Sequence, residues 1–314
     1  MKLGFLTACL PQVGLEELVR WAAQQGFQTI ELAAWPVHSE RDYQARQIDA
    51  ARFSRSDADW VKDLLARHGL EISAMAYYDN NLDPDTRKRR ERIDHLKGVV
   101  KAAALLGVDL VGTFVGGRAD KIPSENMKEI GKVFRPLVKY AGDKGVRLMI
   151  ENCPMDSWQR FGLPGNFAYS PELWDALFSE VPGKNFGLNF DPSHLYWLGI
   201  DYIRAAREFA GKIFHAHAKD TELLPDGLYR HGLYGRQIDP APWKSGWWRY
   251  RIPGLGAIDW KRLISTLQES GYDGALSIEH EDPVWEGSEE KVKHGLALGL
   301  KHLSQFVIRS EYAR

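Results

Sequence analysis

The sequence predicts an α/β fold, a single (β/α)8 TIM barrel over residues 1–314 with a long aromatic-rich insertion after the seventh strand. Three observations carry that expectation. Short β-rich runs alternate with longer amphipathic runs along the whole chain. The amphipathic runs are punctuated by cap residues in front and glycines behind. No glycine-rich phosphate turn follows an early strand, as a doubly wound sheet would require, and Gly116-Gly117 reads as a simple turn. At roughly 150 residues per domain the 314 residues allow two domains, but one barrel of this size is equally ordinary. No low-complexity tract, charge block or Pro/Ser-rich linker marks a boundary, so one domain is expected.

The predicted strands cover residues 2–8, 29–33, 71–77, 110–115, 147–151, 186–191, 213–217 and 274–279. Helices are expected over 15–25, 57–68, 85–106, 124–144, 170–180, 201–210 and 259–270, with 288–307 closing the chain. Ser124, Ser170, Asp201, Asp259 and Ser288 offer side-chain oxygens to the free N–H groups of a first turn. Gly26, Gly69, Gly107, Gly145, Gly211 and Gly271 suit the left-handed residue that ends a helix. Eight strand-then-helix units close most simply as a parallel barrel. From 221 to 258 the pattern lapses, and Trp243, Trp247, Trp248, Tyr229, Tyr234 and Tyr250 fall there. A loop that long with that aromatic content is expected to be an ordered lid.

Composition removes several functions. Forty-one basic residues against 42 acidic ones give a formal charge of −1, so neither nucleic acid nor an anionic membrane is an expected partner. No apolar run approaches the roughly 20 residues of a membrane span, and MKLGFLTACL lacks the pattern of a secretory leader, so a cytoplasmic location is expected. The two cysteines, Cys9 and Cys153, cannot build a disulfide framework or a thiolate metal site. Eleven tryptophans are about double ordinary usage.

A parallel barrel builds its site at the C-terminal strand ends, and the last four predicted strands end in Glu151, Asp191, His217 and Glu279. Adjacent strands lie roughly 4.8 Å apart around one mouth, so four such side chains can converge on one ion. Three carboxylates and an imidazole favour Mn²⁺, with Mg²⁺, Co²⁺ and Zn²⁺ as alternatives. Open coordination positions would take a carbonyl and a neighbouring hydroxyl, and the ion would stabilise the charge formed when the carbon between them loses a proton. Glu151 and Glu279, from strands separated around the mouth, are the candidate bases.

The eight-unit pattern together with IEN, NFDPSH, HAHAKD and IEHED resembles the xylose isomerase-like TIM barrel superfamily of sugar isomerases and epimerases, which also includes hydroxypyruvate isomerases, inosose dehydratases and ketose 3-epimerases. The resemblance implies Glu151, Asp191, His217 and Glu279 as metal ligands, Glu151 and Glu279 as the proton-transfer pair, and His194 beside the substrate oxygens. It also implies a homo-oligomer. Ketose 3-epimerases carry a second glutamate six residues past the first ligand, where this chain has Ser157.

Lys219 shares the inward parity of His217 and is a candidate for a substrate oxygen or an enolate, the alternative being a surface salt bridge with Asp220. His215, one layer deeper, reads as a residue of the barrel interior. Arg251, Trp35 and Tyr78 are further substrate-binding candidates, with Tyr77, His38 and His231 lining the same mouth. His280, Glu281 and Asp282 are placed to orient a ligand. The basic run 87–92 reads as a solvated face.

The expected function is a divalent-metal-dependent isomerase or epimerase of a sugar, keto-sugar or related polyol ketone, working by proton transfer through a metal-bound enediolate on a small carbohydrate. The alternative is a metal-dependent lyase or dehydratase acting on an inosose or 3-keto-glycoside through the same enolate. Two remoter readings are an apurinic-site endonuclease-like phosphodiesterase, which shares the pair Asp191 and His194 but needs histidines where Tyr77, Tyr78, Phe114 and Val115 stand, and a non-catalytic sugar-binding barrel.

Overall fold

The computed structural model describes residues 1–36, 47–155, 164–240 and 245–308. Expectations attached to His38, Ser157 and Trp243 lie outside the described residues. The strands are β1 (Lys2–Phe5), β2 (Thr29–Ala33), β3 (Glu71–Ala76), β4 (Leu110–Thr113), β5 (Arg147–Glu151), β6 (Phe186–Phe190), β7 (Ile213–Ala218), β8 (Asp220–Leu223), β9 (Trp248–Arg251) and β10 (Ala275–Ile278). Eight of them form one parallel sheet in the order β1-β10-β7-β6-β5-β4-β3-β2. Its two ends come back together: Leu6 bridges Glu31, and the Gln28 N–H donates to Leu3 O at 2.9 Å. The result is a nearly closed (β/α)8 barrel with helices on the outside.

The helix signals act as their chemistry dictates. Ser54 accepts from the Asp57 N–H while the Asp57 carboxylate takes the Ser54 N–H, so the helix Arg55–His68 opens on a reciprocal cap. Asp85, Asp201, Asp259 and Ser288 each accept from first-turn N–H groups. Ser170 precedes its helix without such a bond, and Ser124 lies inside a helix that starts at Pro123. Apolar faces of these helices pack on the outer face of the barrel through residues such as Phe5, Leu18, Ile30, Leu64, Phe134, Leu188 and Leu263. Inside the barrel the same parity that aims Glu151 at the mouth places Met149 one layer below it, packed with Ala74 and Leu110 in a separate apolar cluster.

Three features depart from the expected pattern. The first strand stops at Phe5, and Thr7–Cys9 turns as a 3-10 helix. A helix, Pro192–Trp197, follows β6 directly; Pro192 at its first position and Asp191 as its cap start it, and the segment is too short for apolar periodicity to reveal it. The stretch expected as an aperiodic lid contains an antiparallel ladder, β8 with β9, in the register Asp220↔Arg251 to Leu223↔Trp248, and a helix Pro225–His231. Residues 248–251, Trp-Arg-Tyr-Arg, alternate aromatic and charged side chains, a local strand signal that the irregular stretch around it obscured.

Side-chain carboxylates fasten this segment. Asp220 accepts from the N–H groups of Thr221, Gly254 and Ile258 and from Trp260 Nε1, at 2.8 to 2.9 Å. Asp282 accepts from Arg251 Nε and the Ile252 and Val284 N–H groups. Trp248 stacks on Trp197 with ring centroids 4.5 Å apart and planes at 7°, joining the ladder to the helix after β6. Trp197, Trp247 and Trp248 form one cluster, and Trp174 and Trp260 are fully buried in the outer core.

Asp220→Ala strands several buried donors at once, and each costs on the order of 1–3 kcal/mol. With four donors stranded, the thermal midpoint should fall by an amount equivalent to about 4 kcal/mol or more in that variant. Arg204→Ala, at an exposed ion pair with Glu208, should stay within about 1 kcal/mol of the parent in the same melt.

Candidate active site

Each strand end contributes through a local device. Asn152, next to Glu151, clasps the neighbouring strand end: its Nδ2 donates to Asp191 O at 2.8 Å and its Oδ1 accepts the Asp191 N–H at 2.7 Å. Asn166 Nδ2 donates to the carbonyls of Glu151 and Cys153, and its Oδ1 takes the Gly116 N–H. These amides satisfy the backbone where the β5–β6 ladder ends, and so fix the directions of two carboxylates.

Asp191 divides its oxygens. Oδ1 accepts the Ser193 N–H as a helix cap, whereas Oδ2 is buried with no hydrogen bond. His194 Nε2 and Lys219 Nζ each lie 3.2 Å from Oδ2. Glu151 Oε1 is 3.2 Å from His194 Nε2 and 3.4 Å from His217 Nδ1, and Glu279 Oε2 is 3.1 Å from His217 Nδ1. One donor atom from each of Glu151, Asp191, His217 and Glu279 lies within 4.8 Å of the others. A convergent set of three carboxylates and one imidazole fits a divalent cation.

Lys219 is not at the surface. Its ammonium lies 2.5 Å from Glu279 Oε2, 3.1 Å from Glu281 Oε2 and 4.4 Å from the centre of the Tyr250 ring. The alternative pairing with Asp220 is absent because Asp220 is committed to the four donors described above. Burial alone would lower the Lys219 pKa, but Glu279, Glu281 and Asp191 hold it well above its ordinary value. Burial likewise opposes ionisation of Glu151, yet hydrogen bonds from His194 and His217 and the charges of His217 and Lys219 bring its pKa down to about 2. Glu151 is therefore a carboxylate at neutral pH.

His194 is buried, with Tyr250 Oη 2.8 Å from its Nδ1. Tyr78 and Trp35 are buried side by side, ring centroids 6.0 Å apart, and Tyr78 stands edge-on to His217 at 5.7 Å. Arg251 is turned away into the ladder, where it donates to Glu222 and Asp282. Cys9 and Cys153 are both free thiols.

One ionisable residue of this network was not singled out in the sequence. Glu31, in the strand TIELA of β2, is fully buried; its Oε2 is 2.8 Å from His217 Nε2 and its Oε1 accepts from Tyr78 Oη at 2.6 Å. Burial opposes its ionisation too, but the His217 and His215 rings and the hydrogen bonds from His217 and Tyr78 hold its pKa at about 2. The available signal was an acid inside an otherwise apolar strand, which must be compensated by a partner.

A family model described as xylose isomerase-like TIM barrel matches residues 19–302. The uncharacterized protein YfiH of Bacillus subtilis (strain 168) is 28% identical over 301 residues, 90% of this chain and 93% of that one. An inosose isomerase of Bacillus licheniformis is 27% identical over 218 residues, 67% of this chain and 66% of its own. Among solved structures, the IOLI protein with a bound zinc atom superposes with a TM-score of 0.73 at 22% identity, over 98% of this chain and all of that one.

If these four donors hold an ion, Asp191→Asn and His217→Ala should each weaken Mn²⁺ binding by more than the roughly 100-fold that loss of an outer partner costs, as followed by calorimetric titration. Arg204→Ala, at an exposed ion pair with Glu208 on an outer helix, should leave the affinity at the parent value.

Proposed function

The chain belongs to the xylose isomerase-like TIM barrel family, and from that premise we propose that it is a divalent-metal-dependent isomerase or epimerase of a sugar, keto-sugar or polyol-derived ketone such as an inosose. The observation that carries this reading is the pairing of Glu151 and Glu279 on either side of His217 Nδ1, at 3.4 and 3.1 Å. An ion held by Glu151, Asp191, His217 and Glu279, Mn²⁺ being our assignment, would act as a Lewis acid on a substrate carbonyl.

The residues of the chain then divide the work. Two carboxylates that approach from strands on different sides of the mouth can address the two faces of a planar enediolate, one removing a proton and the other returning it. Glu151 is ionised at neutral pH and so carries no proton of its own when it meets the substrate. Lys219 holds Glu279 in place and offers N–H donors to an oxygen that gains charge. His194, held by Tyr250, orients a hydroxyl next to the reacting carbon. Trp35 and Tyr78, buried together beside His217, wall that side of the donor set and exclude water from it.

The same Lys219 also favours a second reading. An ammonium buried against the donor set is placed to protonate a departing β-oxygen, and the enediolate would then collapse by elimination, making the enzyme a dehydratase. Near-neutral net charge and sugar-processing relatives both support a small uncharged carbohydrate as substrate.

A screen of free ketoses, inososes and 3-keto-glycosides in D₂O with Mn²⁺ tests the proposal. The expected result is deuterium at the carbon next to the carbonyl of any substrate turned over, and turnover without solvent exchange counts against the enediolate. Product mass separates the two readings, since elimination loses one water. Glu151→Gln and Glu279→Gln should each lower kcat by about 10²–10⁴-fold, the usual contribution of a positioned acid or base.

A further inference from the structure

His217 is the one imidazole among the four donors, and an imidazole can present either nitrogen to an ion. Its Nδ1 is turned to Glu151 and Glu279, while its Nε2 is turned into the barrel. Two groups wait for Nε2 there: Glu31 Oε2 at 2.8 Å and Asn189 Nδ2 at 2.9 Å. A carboxylate only accepts, so it requires the proton on Nε2, and a charge-assisted bond of that kind outweighs one to a neutral amide. The Asn189 amide has another acceptor, Tyr78 Oη at 2.6 Å.

Glu31 is itself held rigidly. Tyr78 Oη donates to its second oxygen at 2.6 Å, and Tyr78 reaches it across the interior because β4 carries Gly112 at the crossing point. A Cβ on Gly112 would lie 2.3 Å from Tyr78 Oη. Asn189 Oδ1 is fixed from below by His215 Nδ1 at 3.0 Å, and His215 Nε2 meets Ser73 Oγ at 3.1 Å. Both nitrogens of His215 are thus engaged, and the trio Glu31, His215 and His217 forms a hydrogen-bonded group whose ligand atoms also lie within 4.8 Å of one another.

We propose that Glu31 is a positioning residue that holds the His217 ring by its Nε2–H and so commits Nδ1 to the ion, with Tyr78 as the anchor of Glu31. This assigns Tyr78 a place behind the donor set in addition to any packing against substrate. The inference rests on the proposed metal site, but it requires no particular substrate or turnover.

The test therefore reads metal binding. Mn²⁺ titration of Glu31→Gln, which keeps the shape and removes the charge, should show affinity reduced about 10–100-fold, the range found when an outer carboxylate partner of a metal-bound histidine is lost. Tyr78→Phe should show a smaller loss in the same direction, and near-UV circular dichroism should match the parent in both. In the Zn²⁺-loaded parent the His217 Nε2–H proton should resonate far downfield and move upfield in Glu31→Gln, a change that a loss of general stability would not produce. Parental Mn²⁺ affinity in folded Glu31→Gln overturns the proposal. So does binding of two ions per parent chain with one lost in the variant, which would make Glu31 a ligand. If Asp191→Asn also binds Mn²⁺ as the parent does, the underlying metal site has failed; if Asp191→Asn loses binding and Glu31→Gln does not, only the role of Glu31 has.

Discussion

An ionised carboxylate that leaves water must be repaid by other charges and hydrogen-bond donors, and this chain buries Glu31, Glu151 and Asp191 almost completely at one end of its barrel. Much of the surrounding structure answers that constraint. Lys219 supplies a permanent positive charge, His194 and His217 supply ring donors, and one oxygen of Asp191 is spent on a helix N-terminus. The other Asp191 oxygen faces His194 Nε2 and Lys219 Nζ, each 3.2 Å away. Three carboxylates and an imidazole that converge within 4.8 Å make a donor set suited to a cation, and Lys219 and the two histidines balance its charge.

The same constraint reaches into the barrel interior. An apolar filling would leave the inner side of His217 without a partner. Here the lumen holds a polar ladder of Glu31, Tyr78, Asn189 and His215 down to Ser73, with the apolar group of Ala74, Leu110 and Met149 packed beside it. Each member has partners, which is the condition under which buried polar networks rigidify a site and do not weaken the fold. The glycine at position 112 belongs to this arrangement, since any side chain there would occupy the space of the Tyr78 phenol.

Outside the barrel, Asp220 and Asp282 perform a comparable service for the segment between β7 and the helix Trp260–Glu269. Buried acids collect the backbone N–H groups of an irregular chain that has few ladder bonds of its own. That explains why Asp220, adjacent to Lys219 in sequence, does not pair with it, and why Arg251 is drawn into the ladder by Asp282 and Glu222 and not toward the donor set. The segment also brings Tyr250 onto both His194 and Lys219, so it helps to form the site it borders.

By itself the sequence determined the barrel and its mouth. Alternating strand and helix patterns are local, each written within ten to twenty residues, and the strand ends Glu151, Asp191, His217 and Glu279 follow from them because a parallel barrel points every such end the same way. Tertiary structure alone decided what depends on contacts between distant positions. Glu31 and His217 are 186 residues apart and Tyr78 and Asn189 are 111 apart, so no window of sequence joins them. The same holds for Lys219, which linear proximity offers to Asp220 and the fold gives to Glu279, Glu281 and Asp191. Periodicity fixes which way a side chain points; only closure of the barrel fixes what it meets.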